Sequence, residues 1–71
     1  MKTNHEEQRK ELGKVLKQIR ESKGITLYRI EKETAIRFET LKAIESGFLR
    51  YNIDTFLTYI NFLGVSIFFK E

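Results

Sequence analysis

The chain has no cysteine and a single histidine, His5, among its 71 residues. A disulfide framework and a Cys/His metal site are thereby excluded. The absence of cysteine fits a reducing compartment, and a cytoplasmic protein is expected. There is no proline, no low-complexity segment and no internal repeat, so the chain reads as one succession of short elements. No apolar run approaches the length that spans a bilayer, and Met1-Lys2 is not followed by the apolar stretch of a signal peptide. Constellations for chemistry are missing as well. No nucleophile–base pair, paired carboxylates in a cleft, phosphate-cradling glycine loop or metal cluster stands out, so no enzyme activity and no cofactor are expected.

What remains is a single domain, residues 1–71, with residues 1–6 expected to fray. A core this small supplies little net stability. With disulfides and metals excluded, a partner chain is the natural support. The net charge is +3 and unevenly placed: residues 1–23 hold seven Lys or Arg against four Glu, and the rest of the chain is balanced. A basic excess suits nucleic acid, and it suits an ordinary solvated helix equally.

The apolar spacing predicts an all-α fold of four to five helices. In the first helix, capped by Thr3 or Asn4, Leu12, Val15, Leu16 and Ile19 form one stripe, with Lys10, Lys14 and Lys17 opposite. Gly24 stops it. Thr26 caps a second helix that runs to about Thr34, and a third spans Phe38 to Ser46 with Gly47 as terminator. Their apolar positions are Leu27, Ile30, Ile36, Leu41 and Ile44. Two short helices joined by a tight turn make a helix-turn-helix, whose second helix can enter the DNA major groove. Asn52 caps a fourth helix with a stripe of Ile53, Phe56, Leu57, Ile60 and Leu63, ended by Gly64. The tail over 65–70 is β-branched and aromatic and reads as a short strand. A lone strand leaves its backbone groups unpaired, so Val65, Ile67, Phe68 and Phe69 are expected to pair with the same strand of a second copy. The other readings are extended chain packed on the body, or more helix.

From Leu12 to Ile67 the chain resembles the Cro/C1-type (XRE) helix-turn-helix family. The resemblance is carried by Leu16, Arg20 and Gly24 in LKQIRESKGIT, by Ile30, by Leu41 with Ile44, Glu45 and Gly47, and by FLTYINFLGVSI at 56–67. It implies an interior pair between Arg20 and Glu45 that holds the third helix on the first. Four positions depart from the family pattern: Leu27 where Gln is usual, Glu31 where a small residue is usual, Ala35 where Gly is usual, and Arg37 where Ser or Thr is usual. Most of these are normal in a variant similar to TLYRIEKETAIRFETLKAIESG, which occurs in assorted regulators and in the amino-terminal domain of a bacterial cell-shape protein. There the same fold binds protein.

The resemblance places Phe38, Glu39, Lys42 and Ala43 at base-reading positions. Lys can donate to guanine, Glu can accept from cytosine, and Phe or Ala can touch a thymine methyl. Arg37 is a strong reader or phosphate clamp at the helix start. Tyr28, Arg29 and Arg50 are candidate phosphate contacts, with Tyr51 beside them. Each has a plainer role available: core packing for Phe38, a solvated pair for Glu39 and Lys42, half-buried packing for Tyr28 and Tyr51. The reading that follows is a dimeric repressor, or the antitoxin half of a toxin–antitoxin pair, bound to a pseudo-palindromic operator in double-stranded DNA. The alternative is a protein-interaction module that keeps the fold without reading DNA.

Overall fold

A computed structural model describes residues 5–47 and 51–66. They form four helices: α1 (Glu6–Ser22), α2 (Leu27–Thr34), α3 (Phe38–Ser46) and α4 (Ile53–Leu63). Local chemistry sets most of their ends. The Thr26 side chain accepts the Arg29 amide at the start of α2, and Asn52 accepts the Asp54 amide at 2.7 Å at the start of α4. Gly47 and Gly64 follow α3 and α4 with φ of 67° and 76°, the left-handed conformation that carries no penalty for glycine. The expected cap residues Thr3 and Asn4 lie outside the described residues. His5 occupies the N-cap position of α1 without a side-chain bond to the helix amides, its ring nitrogen Nδ1 lying instead 2.7 Å from Gln8 Oε1, and Glu6 is already helical.

The core is built by Leu16, Ile30, Leu41, Ile44, Phe56, Tyr59, Ile60 and Leu63, with Ile25, Leu27, Ile36 and Val65 packed against it. Fully burying one such aliphatic side chain contributes about 1.5–3 kcal/mol. Two expected stripes are rotated. On α1, Leu12 and Val15 are 43% and 45% exposed, and the inward line is Gly13, Leu16 and Arg20. On α4, Ile53 is 63% exposed, Leu57 lies at the surface, and Tyr59 takes the inward place. The physical reason is common to both. A glycine that admits a neighbouring backbone, and polar side chains that find buried partners, claim the interior ahead of aliphatic residues.

α1 packs most extensively on α3. A Cβ on Gly13 would collide with the carbonyl oxygens of Ile44 and Glu45, and one on Gly47 would collide with the backbone of Arg9 and Lys10. The two helices therefore meet main chain to main chain at both places. The Arg9 guanidinium adds a bond from Nε to the Gly47 carbonyl at 3.2 Å.

The strand expected over 65–70 is not found among the described residues. Val65 and Ser66 are not in a strand. Val65 instead closes α4: its amide donates to the Ile60 carbonyl at 2.9 Å while its side chain packs on the core. Ile67, Phe68 and Phe69 lie outside the described residues, as does Arg50. Among the described residues no helix is long and apolar enough to cross a membrane.

Candidate nucleic-acid interface

The turn between α2 and α3 satisfies its polar groups in an unusual way. Ala35 ends α2 at φ 65°, the one non-glycine residue with positive φ among those described. A left-handed alanine costs on the order of 1–2 kcal/mol. Thr34 braces the turn, its hydroxyl donating to the Ile30 carbonyl at 2.7 Å and accepting the Ile36 amide at 3.2 Å. Arg37, at the N-cap of α3, provides no side-chain cap. The cap comes from α2: Glu31 Oε2 accepts the Phe38 amide at 3.2 Å. A carboxylate there also complements the positive end of the α3 dipole. Two departures from the family pattern thus answer each other. Glu31 replaces a small residue and supplies the acceptor that Arg37 lacks.

α3 is anchored from behind by a buried polar cluster. Arg20 Nε and Nη2 donate to Glu45 Oε2 and Oε1 at 2.6 and 3.2 Å, and Nη1 donates to the Ile25 carbonyl at 2.7 Å. Both side chains are about nine-tenths buried. The Tyr59 hydroxyl donates to the same Glu45 carboxylate from α4. Glu45 therefore ties α3 to α1 and α4 at once. The Glu45 hydrogen bond holds the Arg20 guanidinium above its ordinary pKa, against the opposing effect of burial. Burial, then the Glu45 bond, pushes the Tyr59 phenol well above the usual tyrosine range. Among the described residues no buried side-chain polar atom lacks a partner.

With its inner face held, α3 turns Glu39 and Lys42 to solvent, and Arg37 is exposed at its start. Phe38 and Ala43 are half-buried. The Lys42 ammonium lies 5.7 Å from the centre of the Phe38 ring, a cation–π distance. Tyr28, at the start of α2, is 71% exposed. Arg29 is engaged within the chain: its Nε donates to Glu33 at 2.8 Å, and its guanidinium lies 5.9 Å from the Phe62 ring centre on α4. Tyr51 stacks on Phe56 with ring centres 5.6 Å apart, and burial raises its phenol pKa. Arg37, Phe38, Glu39, Lys42 and Ala43 thus share one helix and its start, while Arg29 is turned to α4.

Sequence reasoning missed Tyr59, the capping role of Glu31 and the close approach at Gly13. Only Gly13 carried a local signal, since a glycine inside a strong helical pattern often has a packing reason.

An α2–turn–α3 unit locked onto α1 and α4, with the outer side of α3 open, is the architecture of a helix-turn-helix domain. The family model for the helix-turn-helix domain matches residues 13–67, and the chain belongs to that family, in its Cro/C1-type (XRE-like) form. No curated protein and no solved structure gives a significant match. Membership points to a DNA-binding regulator.

Proposed function

We propose that this protein is a sequence-specific transcriptional regulator of repressor or antitoxin type, acting as a homodimer in the cytoplasm with α3 in the major groove. The observation that carries the reading is the attachment of α3. Main-chain contacts and the Arg20–Glu45–Tyr59 cluster fix its inner face, while Arg37, Glu39 and Lys42 stand clear on the outside. A rigidly held helix with open polar side chains is what base reading requires. Two copies would set their α3 helices about 34 Å apart and read a pseudo-palindrome. Dimer contacts are assigned to Ile67, Phe68 and Phe69, since Val65 packs on the core of its own chain. Backbone phosphates are assigned to Tyr28, Arg50 and, once released from Glu33, Arg29.

A gel shift of the full chain against its own promoter region, at two salt concentrations, tests the proposal. Binding that weakens with salt, and that the double variant Arg37→Ala/Lys42→Ala abolishes, is the expected result. No binding at low salt overturns it. Removal of residues 67–71 is expected to give monomers on size exclusion. Coexpression with the neighbouring gene product separates antitoxin from free repressor.

One observation favours the second reading, a protein-interaction module. The Arg29 side chain is already paired with Glu33 and Phe62, which weakens the phosphate-facing side. Absence of DNA binding would leave that reading standing.

A further inference from the structure

Five large apolar side chains stand exposed among the described residues, and four of them lie on two helices: Leu12 and Val15 on α1, Ile53 and Leu57 on α4. Helical spacing shows that the four share a face. Leu12, Val15 and the half-buried Ile19 lie in line, and Lys23 continues that line one turn further on. Ile53 and Leu57 lie in line likewise, and Gly64 continues it two turns further on. The two lines meet at their ends, where a Cβ on Gly64 would lie 3.6 Å from Lys23 Nζ. At the opposite end, burial raises the Tyr51 phenol while the nearby Arg9 charge lowers it, so the chain entering α4 lies close to the first turn of α1. The two helices are in contact and run side by side in the same direction. The four side chains flank the seam between them.

The seam faces away from α3, because α3 packs on Gly13, about 160° around α1 from Val15. An apolar line across two helices marks a contact surface. The chain supplies an occupant of matching length and pattern. Val65 and Ser66 lead away from Gly64, at one end of the seam, and Val65 turns its side chain onto the core. Side chains alternate along extended chain, which puts Ile67 and Phe69 on the side of Val65, with Phe68 and Lys70 on the other. Residues 67–71, extended, span about 16 Å. The eleven residues of α4 are about as long.

We infer that residues 67–71 lie along the α1–α4 seam of their own chain, with Ile67 and Phe69 seated against Leu12, Val15 and Leu57. The seat turns Phe68 and one backbone edge outward. In this respect it deepens the dimer reading proposed above: Ile67 and Phe69 hold the segment in place, and Phe68 with the backbone edge meets the second copy. The seat itself lies within one chain and is tested apart from dimer formation and DNA binding.

The test is nuclear Overhauser spectroscopy on the full wild-type chain. Cross-peaks are expected between the Phe69 ring and the methyl groups of Val15 and Leu57. A sample mixing isotope-labelled with unlabelled chains separates contacts within a chain from contacts between chains, and the cross-peaks are expected within a chain. Cross-peaks found only between chains overturn the inference in favour of a tail exchanged with the second copy. No cross-peak from Phe69 to either methyl group overturns it outright. Thermal melts of full-length variants give a second readout. Leu57→Ser and Phe69→Ser are each expected to lower Tm by roughly 4 °C or more. The double variant is expected to lose less than the two shifts added together, because each substitution removes the partner of the other. Shifts that simply add overturn the seat, whatever size exclusion and gel shifts say of the dimer and of DNA.

Discussion

The Glu31 carboxylate accepts the amide of Phe38, seven residues further on, and so caps α3 from the helix before it. A cap delivered from another helix does more than satisfy one donor. It ties the start of α3 to a side chain whose own position is set by α2, so the two helices gain or lose their register together.

Glu31→Ala is expected to lower stability by about 1 kcal/mol, the usual cost of losing an N-cap. Glu31→Gln keeps an acceptor oxygen and is expected to stay within a few tenths of wild type. Urea denaturation of the three proteins checks both. An Ala variant as stable as wild type would show that water replaces the carboxylate at no cost.

Ala35→Gly is expected to stabilise the protein. Relief of the left-handed alanine outweighs the added freedom of glycine in the unfolded chain by about 0.5–1 kcal/mol. For a domain of this size that raises Tm by roughly 3–8 °C. A lower Tm would mean that the alanine methyl packs favourably enough to outweigh the strain.

These two positions show what a single sequence reveals and what it hides. The extents of α2, α3 and α4 were legible because Thr26, Asn52, Gly47 and Gly64 act within a few residues of the ends they define. Ala35 stood out only through the family resemblance, as an alanine where glycine is usual, and its positive φ came from the structure. Tyr59 and Gly13 were not legible, because their inward orientation depends on Glu45 and on the α3 carbonyls, which are remote in sequence. At the candidate site, helical spacing was enough to place Glu39 and Lys42 outward. It could not show that Arg29 is drawn to Phe62 on another helix.

Tyr59 makes stability fall at alkaline pH. Its phenol is raised above the unfolded value of about 10, so between that pH and the folded value the native state holds a proton that the unfolded chain releases. The contribution is complete below about pH 10 and is lost as pH rises through the folded pKa, with a slope of at most about 1.4 kcal/mol per pH unit. Tyr51, raised by burial, adds in the same direction. Tyr59→Phe is expected to be about 1 kcal/mol less stable at neutral pH and to show a shallower alkaline decline. Denaturation midpoints from pH 8 to 12 measure both. Parallel curves for variant and wild type would contradict the account.

Removing one partner of the buried pair is expected to be far more damaging than removing that hydroxyl. Arg20→Met leaves the Glu45 carboxylate buried with only Tyr59 as donor, at a cost on the order of 3–5 kcal/mol. Replacing Arg20 and Glu45 together with apolar residues of similar volume is expected to recover much of that loss. Chemical denaturation of the single and double variants, as a mutant cycle, isolates the coupling.

Gly13→Ala sets two effects against each other. Alanine favours a helix over glycine by about 1 kcal/mol, whereas overpacking costs about 1–3 kcal/mol. The obstruction is the backbone of α3, which has no rotamer to change, so the clash is expected to win and stability to fall. A more stable variant would mean that α1 can lift from α3 without loss.

The contact of main chain with main chain at Gly13 and Gly47 also separates presentation from content. The angle at which α3 is offered depends on two glycines and on the buried Glu45 cluster behind it, not on the sizes of the side chains it displays. Arg37, Glu39 and Lys42 are then an exchangeable cassette on a fixed mount. Their identities can be rewritten, by divergence or by design, to meet a different surface while the pose of the helix stays the same.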